Sequence, residues 1–240
     1  MTEPLFAAMP AVPGAIHPFD AEHGTDTSGL IWGENLSRGT RSRWTRSSGL
    51  WSTAYYAIAP RVLESALRVL DGEGVVWGEF TFVDLGSGKG RALLLASGRA
   101  FRGIVGVELS SELHAVAELN VRSFRAPWQQ CRSVEVRRGD AARMELPETP
   151  LVLFLYHPFL APVFRRLLAN LRRSLVRRPR EVWLLYVNPA CDRELQRSGL
   201  FRKRWNYPVD LPPEEALPDR FGNASEQVAI YHHAPGDGPD

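Results

Sequence analysis

The chain has 240 residues, enough for one α/β domain of ordinary size and a tail. Its formal net charge of +2 forces no polyelectrolyte partner, and its two cysteines, Cys131 and Cys191, exclude a disulfide framework or a cysteine-built metal centre. No apolar run approaches membrane-spanning length and no basic-then-apolar leader opens the chain, so a soluble protein of a reducing cytoplasm, without a metal site, is expected.

Residues 1 to about 33 are rich in Pro, Ala and Gly and carry no period that builds a core. Residues 34 to 50 place Arg38, Arg41, Arg43 and Arg46 around Trp44. Residues 1–50 are therefore expected to be a disordered or loosely ordered basic region, and residues 51–235 the folded domain. Residues 52 to 71 read as helical, with Tyr55, Ile58, Val62, Leu63, Leu67 and Leu70 apolar and Pro60 starting or kinking the main helix. The first strand covers 80–83 and its following helix ends near Ser97-Gly98. A second strand, 103–108, ends on Glu108. Ser110 then caps a helix with Glu112 in its first turn, where the dipole favours an acid. A third strand covers 133–136. The apolar run 151–156 is a fourth, and a helix follows from Ala161 to about Val176, apolar at helical spacing. A fifth strand covers 181–187. Two last strands lie near 201–207 and 226–231, with a proline-rich linker between them.

The stretch Asp84-Leu85-Gly86-Ser87-Gly88-Lys89-Gly90-Arg91 is the most informative. A strand that ends on an acid, turns on three glycines and opens a helix brings backbone close to a ligand with no Cβ in the way. A nucleotide-like cofactor is the natural occupant. A dinucleotide fingerprint asks for G-x-G-x-x-G, and Arg91 stands where its third glycine belongs.

The D-x-G-x-G-x-G pattern instead resembles motif I of the Rossmann-like (class I) S-adenosylmethionine-dependent methyltransferases. Glu108 ending strand two, Asp140 after strand three, and the turn Tyr156-His157-Pro158-Phe159 after strand four follow in the family's order. The resemblance implies a Rossmann-like, seven-stranded, mostly parallel α/β sheet with helices on both faces and a C-terminal antiparallel pair. It implies S-adenosyl-L-methionine as cofactor, held by Asp84, Gly86, Ser87, Gly88, Gly90, Glu108, Leu109, Asp140 and Ala141. Glu108 would receive the ribose hydroxyls and Asp140 the adenine amino group. Lys89 is a donor to the methionine carboxylate or a solvated loop charge. Arg91, set against the helix dipole, is compatible with a nearby carboxylate.

Substrate chemistry belongs at the carboxyl ends of strands four and five. His157 is a candidate general base or a loop histidine. Tyr156 is a candidate pocket aromatic, its face suited to a sulfonium, or a plain strand-end ring. Phe159 and Asn188 complete the rim. The Asn-Pro-Pro-Tyr turn of amide and base methyltransferases is absent. Tyr56-Ala57-Ile58-Ala59-Pro60 is similar to the Tyr-x-Pro-Thr-Pro segment of the non-SET lysine methyltransferase branch, lacking its first proline and its threonine. A protein lysine or small-molecule acceptor is thus favoured over nucleic acid, despite the arginines between Arg165 and Arg180. The alternative is a non-catalytic S-adenosylmethionine-binding domain that acts as a sensor or partner subunit.

Overall fold

The computed structural model describes residues 16–29, 55–156, 159–216 and 224–236. Seven strands form one sheet: β1 (Thr81–Leu85), β2 (Gly103–Glu108), β3 (Val134–Arg138), β4 (Leu151–Tyr156), β5 (Val182–Val187), β6 (Arg202–Asp210) and β7 (Ser225–His233). Their order is β3-β2-β1-β4-β5-β7-β6. The first five run parallel, and β7 lies antiparallel to both β5 and β6. This is the expected mostly parallel sheet with its antiparallel C-terminal pair. Strands β1 and β5 are buried along their whole length, which is why they read as apolar runs apart from Thr81 and Asp84.

Helices cover both faces. On one side Val62, Leu63 and Leu67 of α2 (Pro60–Gly72) and Leu93 of α3 (Arg91–Ala96) pack on Phe82, Phe154, Val228 and Ile230. On the other, Phe164, Leu167 and Leu171 of α5 (Ala161–Arg177) pack on Val83, Leu153 and Leu184. Helix α4 (Ser111–Ser123) flanks β2 and β3, and Ser110 caps it as expected, its Oγ accepting from the Leu113 N–H at 3.3 Å. Short helices α6 (Asp192–Ser198) and α7 (Pro213–Ala216) carry no sequence period long enough to be foreseen. The strand order reverses between β2 and β4 on either side of β1. A crevice therefore opens at the carboxyl ends of β1, β2 and β4.

Two expectations fail. Residues 56–59, expected to be helical, are not, with Ala59 extended; α2 starts at Pro60, one of the two roles expected of that proline. The proline has no N–H to place in the first turn, so it begins the helix at no cost. Residues 16–29 are also not loosely ordered. They form α1 (Pro18–His23), closed by Gly24 at φ +65°, and a strap that packs on the domain. Phe19 stacks on Phe124 with centroids 6.1 Å apart. The Arg38–Arg46 cluster with Trp44 lies outside the described residues. No helix among the described residues is long and apolar enough to cross a membrane.

Candidate functional site

The crevice is an open cavity, with about 910 Å³ of empty space when its mouth is included. Asp84, Gly86, Ser87, Gly88, Glu108, Leu109, Asp140, Ala141, Tyr156 and Phe159 all line it, so ten of the sequence-nominated residues converge. Gly90 and Asn188 are not among its walls.

The glycine turn owes its shape to backbone pairing. Gly86 and Ser87 both donate N–H bonds to the Val107 carbonyl, at 2.9 and 3.0 Å, and Gly90 N–H donates to Ser87 O at 2.8 Å. Gly86, Gly88 and Gly90 have φ of +101°, +53° and +90°, where side chains are rarely tolerated. Gly106 of β2 was missed by the sequence reading. A Cβ there would lie 2.6 Å from Leu93 Cδ1 and 2.8 Å from Ser87 Oγ, so its bareness lets the turn sit against β2. Gly90 serves packing on Ala117 and the start of α3 rather than the cavity wall.

Two carboxylates share the cavity floor. Asp84 is 4 % exposed and Glu108 8 %. Burial pushes the Asp84 carboxyl well above the usual carboxylate range, and the Glu108 charge adds to the rise. Burial also raises Glu108, while N–H bonds from Ser110 and Gly88 pull it back. Gly88 N–H donates to Oε2 at 2.8 Å and Ser110 N–H to Oε1 at 2.7 Å. The Leu109 N–H also bonds this carboxylate, so three of its roughly four acceptor positions are taken within the chain and about one is left for an outside donor. Asp140 Oδ1 accepts from the Ala142 N–H at 3.0 Å and its other oxygen stands 3.6 Å from Arg143.

The cations beside the turn face away from it. Lys89 neither floats in solvent nor points at the cavity: Nζ donates to Asp26 Oδ1 at 2.6 Å and Ser28 O at 2.7 Å. Arg91 lines the cavity but is 2 % exposed, and its guanidinium donates to Thr27 Oγ1 at 2.6 Å and Ser28 Oγ at 3.0 Å beside Asp20. The carboxylate that Arg91 invited is Asp20. Asn120 ties the strap to the turn, donating to Asp26 O at 2.8 Å and Lys89 O at 2.9 Å. Tyr55 closes over the turn: a Cβ on Gly88 would lie 2.2 Å from its ring, and its hydroxyl donates to Thr27 O at 2.5 Å.

The rim is aromatic. Tyr56 and Tyr156 meet edge-on, centroids 5.0 Å apart, with Phe154 and Phe159 beside them. Asn188 is turned to β7 rather than to the acceptor: its Nδ2 donates to Glu226 Oε2 at 2.6 Å. His157, the candidate base, lies outside the described residues. Of the arginines following Arg165, Arg180 is buried against Ser174 and cannot meet a polyanion. Among the described residues no cluster suits a metal ion.

The residues fit S-adenosylmethionine better than a dinucleotide. A pyrophosphate needs free N–H groups at the turn, and four of these already have partners within the chain. What the floor presents is acceptors, and an ammonium, two ribose hydroxyls and an adenine amino group are donors.

No family model matches the chain, and no curated protein sequence does. Solved structures do resemble it. The methyltransferase domain of bacterial CtHen1-C is 14% identical with a TM-score of 0.50, over 73% of this chain and 98% of that one. A provisionally assigned RNA methyltransferase from Pyrococcus horikoshii is 15% identical with a TM-score of 0.48, over 75% and 87%. An RNA methyltransferase from Salinibacter ruber, solved with S-adenosyl-L-homocysteine, is 20% identical with a TM-score of 0.44, over 75% and 94%. At these identities the likeness concerns architecture: the chain has a Rossmann-like methyltransferase fold.

Proposed function

We propose that the protein is an S-adenosylmethionine-dependent methyltransferase. The observation that carries this reading is the pair of buried carboxylates, Asp84 and Glu108, raised together on a cavity floor rich in acceptors. A ligand bearing an ammonium and a ribose relieves both. Asp84 and the turn Gly86-Ser87-Gly88 would hold the amino-acid end. Glu108 and Leu109 would hold the ribose, and Asp140 and Ala141 the adenine. When bound, the cofactor supplies a methyl group already activated by its sulfonium for in-line displacement. The chain then contributes alignment, which in well-oriented reactions is worth on the order of 7–11 kcal/mol. Tyr56, Tyr156 and Phe159 would exclude water and present π faces to cationic charge.

The acceptor is favoured as a protein lysine or a small molecule. Among the described residues three acids, Asp84, Glu108 and Asp140, line the cavity with one engaged guanidinium, Arg91, a lining that offers a phosphate backbone little positive charge. Tyr56 on the rim and Pro60 at the start of α2 also suit the non-SET lysine methyltransferase branch. Structural neighbours include RNA methyltransferases, so nucleic acid is one outcome of the test. The full chain is incubated with methyl-tritiated S-adenosylmethionine and a cell extract, and the labelled species is identified. Label in protein or a small molecule is expected. Label in RNA reassigns the acceptor. Binding with no transferred label overturns catalysis and leaves a sensor or partner subunit.

A further inference from the structure

The strap of residues 16–29 and the glycine turn meet at one buried amide. Asn120 stands on α4 and is 4 % exposed. It pairs with both backbone groups of Asp26: Oδ1 accepts from the Asp26 N–H at 2.9 Å, and Nδ2 donates to Asp26 O at 2.8 Å. Nδ2 also donates to Lys89 O at 2.9 Å, between the two glycines Gly88 and Gly90. One orientation of the amide alone makes all three bonds, because two partners are carbonyls and the third is an N–H. The same helix face carries Ala117 one turn earlier, and a Cβ on Gly90 would lie 3.4 Å from that of Ala117.

The strap holds the turn at successive residues. Lys89 Nζ donates to Asp26 Oδ1 at 2.6 Å and Ser28 O at 2.7 Å. Arg91 Nε donates to Thr27 Oγ1 at 2.6 Å. The Tyr55 hydroxyl donates to Thr27 O, which sets the Tyr55 ring on Gly88. Gly88 N–H in turn donates to Glu108 Oε2 on the cavity floor at 2.8 Å. Contacts therefore run unbroken from the strap, through Asn120 and Lys89, to the carboxylate that faces the ligand. Gly88 and Gly90, at φ +53° and +90°, give the turn wide backbone freedom, so its shape depends on what is bonded around it. A turn held in shape before its ligand arrives has less ordering left to cost on binding.

We propose that Asn120 is a positioning residue for the cofactor turn: it couples docking of the strap to binding of the cofactor, so that each stabilises the other. The proposal rests on the methyltransferase reading. Asn120 acts through the Lys89 carbonyl and the Asp26 backbone rather than by touching the ligand. Such coupling is reciprocal. The factor by which the docked strap tightens binding is the factor by which bound cofactor suppresses undocking.

The test is hydrogen exchange on the full chain, with and without saturating S-adenosylhomocysteine, read at the Asp26 and Thr27 amides. These N–H groups bond to Asn120 Oδ1 and to the Asp20 carboxylate, so they exchange when the strap lifts. S-adenosylhomocysteine is expected to slow them by on the order of tenfold. Asn120→Ala should cut that slowing to less than about twofold and weaken S-adenosylhomocysteine binding by about tenfold. Lys89→Met, which removes the side-chain tether but keeps the Lys89 carbonyl, should give an intermediate slowing. If S-adenosylhomocysteine binds and the two amides exchange at unchanged rates, the coupling is wrong while the methyltransferase reading stands. If Asn120→Ala loses affinity or thermal stability yet keeps the full slowing, Asn120 is merely structural and the proposal falls. Should Asn120→Ala not fold, Lys89→Met decides: slowing as large as in the unaltered chain overturns the coupling. If S-adenosylhomocysteine does not bind the unaltered chain, the methyltransferase reading itself fails, and the coupling with it.

Discussion

Replacing Asp20 with alanine is expected to cost about 3–5 kcal/mol of folding stability, the usual consequence of leaving one member of a buried ion pair alone. The Asp20 and Arg91 side chains are 2 % and 1 % exposed, 3.4 Å apart, and 71 residues distant in sequence. Asp20 also organises the strap, accepting from Thr25 Oγ1 at 2.6 Å and from the Thr27 N–H at 3.0 Å. Burial raises its pKa, but the hydroxyl bonds from Ser28, Thr25 and Thr27, with the Arg91 charge, outweigh it and hold the carboxyl below its ordinary value. A depressed folded pKa means that the stabilisation is present above the unfolded pKa and is lost as pH falls through the folded one. Urea unfolding across that acid range measures both effects. The double variant Asp20→Ala/Arg91→Leu should lose less than the sum of its parts, because no charge is then stranded. Because Thr27 anchors the Tyr55 hydroxyl over Gly88, Asp20→Ala should also weaken ligand binding. A single-variant loss below about 0.5 kcal/mol, the size of an ordinary surface change, contradicts the strap's role.

Asp84→Asn is expected to trade stability for binding. In the unliganded protein burial and the Glu108 charge raise the Asp84 pKa. Stability is therefore whole below the unfolded pKa and declines as pH rises toward the folded one, where a buried charge must form. Asparagine removes that decline, so Asp84→Asn should unfold later than the parent at neutral pH. The same change removes the anionic partner of a ligand ammonium, with an expected loss of about 10–100-fold in affinity, since hydrogen bonds to charged groups are worth about 1.5–3 kcal/mol. A bound cation favours the ionised carboxylate. Affinity for S-adenosylmethionine should then rise with pH through the raised Asp84 pKa, with proton release on binding below it. Calorimetry in buffers of different ionisation enthalpy reads that proton. A variant that is both less stable and equally tight would contradict this account.

Much of the central fold is legible in the sequence because it is local. Strands β2 and β4 match their expected bounds, since parallel strands buried on both faces are short apolar runs ended by polar residues. The N-cap Ser110 and the glycine turn are equally local signals. The strap is not legible, because its order comes from distant partners: Asp20 meets Arg91, and Asp26 meets Asn120 across 94 residues. Lys89 was misplaced for the same reason. The residues before Pro60 were read as helix because Tyr55 and Ile58 continue the apolar spacing of α2, although the proline is where that helix starts. Gly106 gave no warning, since its bareness is required by Leu93 and Ser87 rather than by a turn. Glu226 did leave a trace. It shares the inward face of β7 with Val228 and Ile230, and an acid at an inward register position of a strand asks for a partner.

The most direct test of the central claim is calorimetric titration of the full chain with S-adenosylmethionine and S-adenosylhomocysteine, beside NADH. One saturable site for both sulfur nucleotides, weakened by Glu108→Gln, with no heat from NADH, is the expected result. No association with either sulfur nucleotide, or tight binding of NADH in their place, would contradict it.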